Sequence, residues 1–381
     1  MFSMLSTKNP DSVSLADIVP SCFVSLGWRE ETPVFEVPSC RATILILVDG
    51  LGVENIRNAS GYSRFLAQSL NDSITASTVF PSTTAAALSS LVTGVQPAEH
   101  GILGYRVMNP ETGELVNQLN GLNENLVDAG WMGVPSLING ASVEGKSVCV
   151  IGHPRFAQSA LTRMLYGQAL YVASRSIEER LREAQLRVQR GDEGLIFVYI
   201  SDLDEAAHAH GAGSDAWLNK VEELDGLLKS HVAAVPRDIN VVVTADHGII
   251  DIPVSQHLNY PEELLTDVEQ VGGEPRCLQL FLSDTASVSD VMERWRNHFG
   301  DEVNVSTRDE VFARSYNQNL SSRGARAGDI FVEAGMAGAL YAASDPTAPG
   351  RNMVGQHGGT TPAEMEIPLI VWRGGEKLVL G

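Results

Sequence analysis

Hydrophobic residues recur along the chain in short continuous runs. Runs rich in Val, Ile and Leu predict five strands, at Thr43–Val48, Ser147–Ile151, Leu195–Ile200, Asn240–Thr244 and Ile367–Trp372. Continuous apolar strands are typical of a sheet covered on both faces. Helical spacing of apolar residues predicts helices at Val53–Leu70, Thr84–Thr93, Ile177–Arg190 and Ser214–Val232. This alternation predicts an α/β fold with a mostly parallel central sheet and helices on both faces.

The pattern changes over residues 253–345. The runs RCLQLFLSD, EVNVST and GDIFVEAG predict three strands, and SVSDVMERWRNHF predicts one helix. Consecutive strands without intervening long helices are typical of a compact α+β unit. We therefore expect a small α+β cap at 253–345, inserted into an α/β core made of residues 1–252 and 346–381.

Composition narrows the possible partners. The 381 residues are 44% hydrophobic, enough for a large core, and carry a formal net charge of −20. An acidic surface repels nucleic acid, and the apolar runs are too short to cross a bilayer, so we expect neither nucleic acid nor a membrane as partner. No export signal is recognisable, and the four cysteines are widely spaced without a CxxC pair. These features predict reduced thiols and a cytoplasmic location, and they favour no particular oligomeric state.

Acidic residues and histidines follow the predicted strands. They occur in VDGLG, in ISDLDEAAHAHG, in TADHG and in GQHGG before the last strand. In open α/β sheets, binding sites form at the carboxyl ends of the strands. The candidate metal ligands, in chain order, are Asp49, Asp204, His208, Asp246, His247 and His357.

Each candidate ligand taken alone also has a structural explanation. An aspartate after a strand commonly forms a turn or caps a helix, and a lone histidine commonly forms a surface hydrogen bond. The spacing favours metal binding instead: Asp204 and His208 are four residues apart and share a helix face, and Asp246 is adjacent to His247. Carboxylate with neutral imidazole suits zinc, with manganese or iron as alternatives. The set together predicts a metal centre.

The remaining histidines are predicted to have other roles. His210 lies on a different helix face from His208 and is expected behind the ligands or in solvent. His100 is expected to hold a loop by hydrogen bonds, and Asp202 and Glu205 to serve the loop around the metal site. The histidines treated as structural are His153, His231, His257 and His298.

A hydroxyl group supplies a candidate nucleophile. FPSTT predicts a turn and TAAALSSLVTG a helix, which places Thr84 at the helix N-terminus. Thr84, or alternatively Thr83, could simply cap the helix. The same position offers free backbone N–H groups, the positive end of the helix dipole and room beside Ala85–Ala87. A nearby divalent ion would lower the pKa of the Thr84 hydroxyl and make it a nucleophile.

These motifs resemble a known family. VDGLG, FPSTTAAALSSLVTGVQPAEHG, DLDEAAHAHG, TADHG and GQHGG, in this order, resemble the alkaline phosphatase superfamily and, within it, the type I phosphodiesterase/nucleotide pyrophosphatase family. The resemblance implies an alkaline-phosphatase-like fold, two divalent ions (zinc first) and hydrolysis of a small phosphate ester such as a nucleotide. It implies a phospho-threonine intermediate at Thr84, nine residues before Thr93. The implied ligands are Asp204, His208 and His357 for one ion, and Asp49, Asp246 and His247 for the other.

The substrate contacts depart from the family pattern. Ala86-Ala87 stand where nucleotide-hydrolysing relatives carry PN, and Tyr105 lies near the position of their phosphoryl-binding asparagine. Tyr105 and Arg106 are candidate substrate contacts, with an ordinary surface arginine as the alternative for Arg106. Tyr105, Trp131 and Tyr199 could stack on a base or belong to the core.

Rival functions use the same site. Phosphomonoesterase, phosphonate hydrolase and phosphomutase all remain as alternatives to phosphodiesterase. A sulfatase is less favoured, because no C/S-x-P-x-R pattern occurs near Thr84. The non-enzymatic alternative is a catalytically silent metal-binding protein, and a full ligand set beside a reactive hydroxyl argues against it.

Overall fold

The computed structural model describes residues 12–316, 322–348 and 350–380. The strands are β1 Ala42–Val48, β2 Ile74–Ser77, β3 Arg106–Met108, β4 Leu115–Asn117, β5 Val148–Gly152, β6 Leu170–Ala173, β7 Gly194–Ile200, β8 Ile239–Thr244, β9 Ile250–Asp251, β10 His257–Tyr260, β11 Val268–Glu274, β12 Cys277–Leu282, β13 Val303–Thr307, β14 Ile330–Ala334, β15 Ala339–Ala342, β16 Gly355–Gln356, β17 Glu366–Arg373 and β18 Glu376–Lys377. The α-helices are α1 Ile18–Ser25, α2 Val53–Asn58, α3 Arg64–Leu70, α4 Thr84–Thr93, α5 Pro97–His100, α6 Glu124–Asp128, α7 Leu137–Val143, α8 Ala160–Tyr166, α9 Ile177–Gln189, α10 Asp202–His210, α11 Asp215–Ala234, α12 Val288–Phe299, α13 Arg308–Tyr316 and α14 Pro362–Met365.

A central sheet flanked by helices organises the molecule. Its strand order is β18-β17-β8-β1-β7-β5-β6, with β2 paired to β17. The five strands from β8 to β6 are parallel, whereas β17, β2 and β18 pair antiparallel. Every residue of β1 is buried, as expected for a strand covered on both faces. The predicted α/β fold is confirmed, with an antiparallel edge.

The five predicted strands are confirmed, but one predicted helix is wrong. The chain forms two helices, α2 and α3, where the pattern predicted a single helix over Val53–Leu70. Asp225 of α11 accepts hydrogen bonds from the backbone N–H groups of Phe65 (3.0 Å) and Leu66 (2.8 Å), and so caps the start of α3. The capping group comes from a distant part of the chain, so local periodicity could not reveal the break.

A second, four-stranded sheet lies in the segment predicted as a cap. It is antiparallel, with the order β11-β12-β14-β13, and α12 packs on it. It has its own cluster of buried apolar residues, which includes Leu280, Val291, Trp295, Val305 and Val332. The predicted strands and helix of this segment are therefore present. The division into a core of 1–252 with 346–381 and a cap of 253–345 stays a prediction.

The cysteines agree with the expectation of reduced thiols. Cys22, Cys40, Cys149 and Cys277 are all unpaired, and burial raises the pKa of the Cys149 thiol to about 11. Within the described ranges, no helix combines the length and the apolar character that a membrane span requires. Residues 1–11, the first part of the segment judged to lack an export signal, lie outside the described residues.

A fully buried ion pair joins the second sheet to α14. Arg276, between β11 and β12, binds the Glu364 carboxylate with Nε–Oε1 3.0 Å and Nη2–Oε2 2.8 Å. Arg276 also donates to the Gly335 carbonyl at 2.7 Å. Burial raises the pKa of Glu364, but Arg276 outweighs burial and the pKa lies below its usual value. Each of the two buried charges is therefore compensated by the other, and removal of one would leave the other buried without an ionic partner.

Removing one member of this pair should be costly. Arg276→Met leaves the Glu364 carboxylate buried without its partner, and we expect the free energy of unfolding to fall by about 3–5 kcal/mol. Urea unfolding followed by circular dichroism measures the change. The matched control is Arg163→Met, which breaks an exposed pair with Glu124 and should cost about 0–1 kcal/mol. Equal losses in the two variants would contradict the role assigned to the buried pair.

Candidate active site

The strand order brings five of the predicted ligands to one edge of the sheet. Strands β8, β1 and β7 are parallel neighbours, so their carboxyl ends meet. Asp49 follows β1, and Asp246 and His247 follow β8. Asp204 and His208 lie on α10, directly after β7, with Asp204 Oδ2 3.2 Å from His208 Nε2. In each case the apolar run forms the buried strand, and the polar side chain that could bind a metal follows soon after the run ends.

Gly50 makes the close approach of these segments possible. Its φ of +70° is accessible to glycine without strain. A Cβ atom at this position would lie 3.0 Å from Asp204 Oδ1, against the α10 ligand. The Gly50 N–H donates to Asp246 Oδ1 at 3.1 Å. Gly50, in the VDGLG turn after β1, therefore lets the segments that follow β7 and β8 approach the end of β1 closely.

Two groups of side chains could each hold a metal ion. One consists of Asp204, His208 and His357, and the other of Asp49, Asp204 and His247, with ligand atoms within 4.8 Å of one another in each group. The resemblance assigned Asp204 to one ion, whereas the geometry places it in both groups. The remaining predicted ligand, Asp246, lies beside the second group, with Oδ2 3.5 Å from the Nε2 of His247.

The three histidines are oriented as metal ligands require. The Nδ1 of His208 donates to the Gly355 carbonyl (2.8 Å), and that of His357 donates to the Ser82 carbonyl (2.8 Å). His247 Nδ1 contacts the Gly248 carbonyl at 3.2 Å. Because carbonyl oxygens only accept, Nδ1 carries a proton in each ring, and the Nε2 of a neutral imidazole then presents a lone pair to the cluster. His208 differs, because burial lowers its pKa but Asp204, 3.2 Å from its Nε2, outweighs burial and raises the pKa above its usual value. Backbone carbonyls commonly fix metal-binding histidines in this way.

Oxygen atoms of the three aspartates lack hydrogen-bond partners. Among the described residues, Asp49 Oδ1, Asp204 Oδ1 and Asp246 Oδ2 are buried with none. Asp49 Oδ1 lies 3.4 Å from the lone pair of His247 Nε2. Lone pairs that face one another inside a protein are unfavourable unless a cation lies between them. The residues present therefore fit divalent metal ions.

The pKa values of the cluster show the same electrostatic imbalance. Burial, and next the charges of Asp246 and Asp204, raise the pKa of Asp49 well above its usual value. Burial raises the pKa of Asp246 to about 7 and lowers that of His247 to about 4. Burial likewise lowers the pKa of His357 to about 3. The imidazoles of His247 and His357 are thus neutral beside crowded carboxyl groups, an arrangement that bound cations would relieve.

Thr84 lies at the edge of this cluster. It is the first residue of α4, and its Oγ1 lies 3.2 Å from His247 Nε2. Thr83 occupies the N-cap position, but its side chain forms no capping hydrogen bond, and its buried Oγ1 has no partner among the described residues. The first N–H groups of α4 therefore remain free for an anionic ligand. Of the two threonines, only Thr84 contacts a metal-ligand candidate by hydrogen bonding.

Tyr199 is a contact that the sequence did not identify. Its hydroxyl donates a hydrogen bond to Asp49 Oδ2, so the side chain supports a candidate ligand instead of simply filling the core. The sequence marks the position only weakly, as one aromatic residue near the end of the apolar strand before Asp204. Register decides the contact, because Tyr199 pairs with Leu47, two residues before Asp49.

The two predicted substrate contacts lie apart from Thr84. Tyr105 and Arg106 line a cavity of about 400 Å³ with the buried carboxyl group of Glu274, which accepts the Tyr105 N–H at 2.9 Å. The cavity that contains Thr84 has a volume of about 450 Å³ and does not include either residue. Asn120 lines both cavities, which therefore adjoin. Trp131 is buried and stacks under Arg326 at 3.8 Å, in a packing role.

The other predicted polar residues have structural surroundings. His100 Nε2 donates to Ser90 Oγ at 2.8 Å and its Nδ1 accepts the Ile102 N–H at 3.1 Å, so it holds a loop as expected. His210 is exposed at the end of α10. Asp202 pairs with the buried Arg180, and Glu205 accepts from the Ser201 hydroxyl at 2.7 Å. These acids support the segments around the metal cluster.

Comparison with known proteins agrees with the fold. The family model of type I phosphodiesterase/nucleotide pyrophosphatase matches residues 43–360. Phosphonoacetate hydrolase from Sinorhizobium meliloti 1021, solved with phosphonoformate, is 20% identical with a TM-score of 0.67, covering 88% of this chain and 90% of that one. Human ectonucleotide pyrophosphatase/phosphodiesterase 5 is 16% identical with a TM-score of 0.67, covering 88% and 89%. No curated protein sequence gives a match. Because the family model covers most of its length, the chain belongs to the type I phosphodiesterase/nucleotide pyrophosphatase family.

Proposed function

We propose that the protein is a two-metal-dependent phosphodiester hydrolase that acts through a phospho-threonine intermediate. One observation carries the proposal: Thr84 Oγ1 lies at the uncapped N-terminus of α4, 3.2 Å from Nε2 of His247 in the ligand cluster. A nucleophile, an anion-binding helix end and candidate metal ligands thus share one site. Family membership supports phosphoryl chemistry at that site.

Six side chains would hold two divalent ions, for which zinc is the first candidate. The proposed ligands are Asp204, His208 and His357 for one ion, and Asp49, Asp246 and His247 for the other. The alternative grouping, in which Asp204 also contacts the second ion, uses the same residues. Mixed carboxylate and imidazole ligands suit zinc, and manganese or iron would also be accepted.

The residues of the chain then have distinct tasks. Bound divalent ions would lower the pKa of a nearby hydroxyl group and would stabilise negative charge on oxygen atoms at phosphorus. Thr84 Oγ1 loses its proton and bonds to phosphorus while the bond to the ester oxygen breaks, and that oxygen takes up a proton and leaves as an alcohol. The free N–H groups of α4 bind a phosphoryl oxygen. Water then hydrolyses the phospho-threonine and releases Thr84. Tyr199 keeps Asp49 oriented by its hydrogen bond.

The proposed substrate is a small phosphate ester. Solved relatives of the fold bind phosphonoacetate in one case and AMP in another. A nucleotide therefore belongs among the candidates, with Tyr105 and Arg106 as contacts from the adjoining cavity. A phosphomonoesterase or a phosphonate hydrolase would use the same site. A cytoplasmic location also stays a prediction.

Thr84→Ala should abolish turnover and leave metal binding intact. Removing the attacking oxygen prevents the covalent step, and we expect kcat to fall by at least about 10³-fold. Steady-state hydrolysis of bis-p-nitrophenyl phosphate measures the rate, and elemental analysis of the same samples measures the zinc. Thr83→Ala is the matched control and should keep most of the activity, because its Oγ1 has no partner. Full activity of the Thr84 variant would refute the nucleophile assignment.

Zinc-loaded protein should contain about two ions per chain and cleave a diester faster than a monoester. Bis-p-nitrophenyl phosphate, p-nitrophenyl phosphate and phosphonoacetate are compared on one zinc-loaded preparation. Faster cleavage of the monoester or the phosphonate would support the same site but indicate a phosphatase or a phosphonate hydrolase. Two bound ions without any cleavage would support the silent metal-binding alternative. Fewer than two ions after loading would contradict the ligand assignment.

Tyr199→Phe should weaken metal binding. The change removes one hydrogen bond to Asp49, and loss of such an outer contact lowers metal affinity by about 10–100-fold. Competition with a zinc chelator measures the affinity. Tyr171→Phe is the control, because that hydroxyl lines the same cavity but donates to the His153 carbonyl at 2.9 Å. An equal loss in both variants would show a general effect on the cavity and not a specific effect on Asp49.

A further inference from the structure

A largely apolar cavity of about 450 Å³ opens directly beside Thr84, with Asp49 and Asp204 in its wall. Its volume lies within the range of small-molecule sites. Any group attached to a phosphorus atom at Thr84 that enters this cavity meets mainly hydrophobic side chains. They are Leu88, Val150, Phe156, Leu161, Leu165 and Tyr166.

Regular secondary structure holds these hydrophobic side chains in place. Leu88 is four residues after Thr84 on α4, so both side chains lie on the same face of the helix. Leu161 and Leu165 are likewise four residues apart on α8, and both are buried. The part of the apolar surface formed by these leucines is therefore preformed. A ligand group that enters it is removed from water without a large rearrangement of the protein.

Apart from the candidate metal ligands and Asn120, most polar side chains in the wall already have protein partners. The hydrogen bonds run from Tyr171 to the His153 carbonyl (2.9 Å), from Ser159 to Thr162 (3.0 Å), from Ser201 to Glu205 (2.7 Å) and from Tyr199 to Asp49. A nucleobase carries several donors and acceptors that need partners when they leave water. These walls satisfy such groups poorly, and an apolar group needs no partner.

The one arginine of the cavity is also neutralised. Arg155 forms an ion pair with Glu205 and lies over the ring of Phe156, 4.5 Å from its centroid. Its charge is therefore balanced by a carboxylate on α10, and its stem covers an aromatic ring. Arg155 therefore gives the cavity no uncompensated positive charge with which to select a second phosphate.

We propose that this cavity binds an apolar aryl or alkyl group attached to phosphorus, in preference to a nucleoside. This inference rests on the proposed phosphodiesterase function of the same site and names its substrate class. The hydrophobic group enters between α4 and α8, while the phosphoryl group stays at Thr84 and the metal ligands. Phe156 and Leu165 are the specificity-determining residues.

Phosphonates test the cavity without turnover. They carry a single organic group, joined by a P–C bond that phosphate ester hydrolysis does not break. Calorimetry on zinc-loaded Thr84→Ala protein measures the affinities for methyl-, butyl- and phenylphosphonate and for AMP. The variant is used because it should not hydrolyse AMP. Each added methylene should tighten binding about three- to fourfold, and phenylphosphonate should bind at least about tenfold tighter than methylphosphonate. Phenylphosphonate should also bind tighter than AMP.

Variants in the same background locate the effect. Phe156→Ala should reduce the phenyl-to-methyl affinity ratio about fivefold, by removal of an aromatic contact. Leu165→Trp should fill the cavity and bring this ratio close to one. Phe65→Ala is the matched control, because Phe65 stacks on Trp372 at 5.4 Å outside the cavity. Thermal unfolding checks that each variant is folded. We expect Phe156→Ala to fold, because Phe156 is only partly buried.

The outcomes separate this inference from the proposed function. A rising affinity along the series that Phe156→Ala reduces and Phe65→Ala does not supports the apolar subsite. Binding of methylphosphonate with no gain along the series, or tightest binding of AMP, overturns the inference and leaves the phosphodiesterase site standing. No binding of any phosphonate or of AMP to the zinc-loaded protein overturns the proposed function and the inference with it.

Discussion

Three carboxyl groups buried at one edge of a parallel sheet are the constraint on which the site depends. Asp49, Asp204 and Asp246 converge there, with one oxygen atom of each lacking a hydrogen-bond partner. Isolated charges inside a protein are costly, and the neighbouring imidazoles are largely neutral because burial lowers the pKa values of His247 and His357. Positive charge from bound metal ions would resolve the conflict, and metal binding would then be linked to the stability of this edge.

A continuous set of contacts connects these carboxyl groups to the helix that begins with the candidate nucleophile Thr84. Arg276 binds Glu364, which accepts the Gly359 N–H at 2.9 Å. Ser82 Oγ donates to the Gly359 carbonyl at 2.8 Å, and the Ser82 carbonyl accepts from His357 Nδ1 at 2.8 Å. Ser82 immediately precedes the N-cap of α4. The second sheet, the candidate ligand His357 and helix α4 are therefore positioned together, although they are far apart in sequence.

Much of this arrangement could be predicted from local patterns. Continuous apolar runs marked the buried strands because a strand covered on both faces admits no polar residue. Asp49 and Asp246 were recognisable because each ends such a run. The break between α2 and α3 could not be predicted, because the group that caps α3 is Asp225 of a distant helix. The contact of Tyr199 with Asp49 was missed because it depends on strand register.

The sequence by itself determined the fold class and identified the candidate ligands and the candidate nucleophile, because periodicity and motif spacing are local properties of the chain. Only the tertiary structure decided which ligands approach one another, and it placed Asp204 in both metal-ligand groups. It also placed Tyr105 and Arg106 outside the cavity of Thr84 and lined that cavity with apolar side chains. These features arise where separate elements pack together, and packing between distant segments leaves no periodic signal in the sequence.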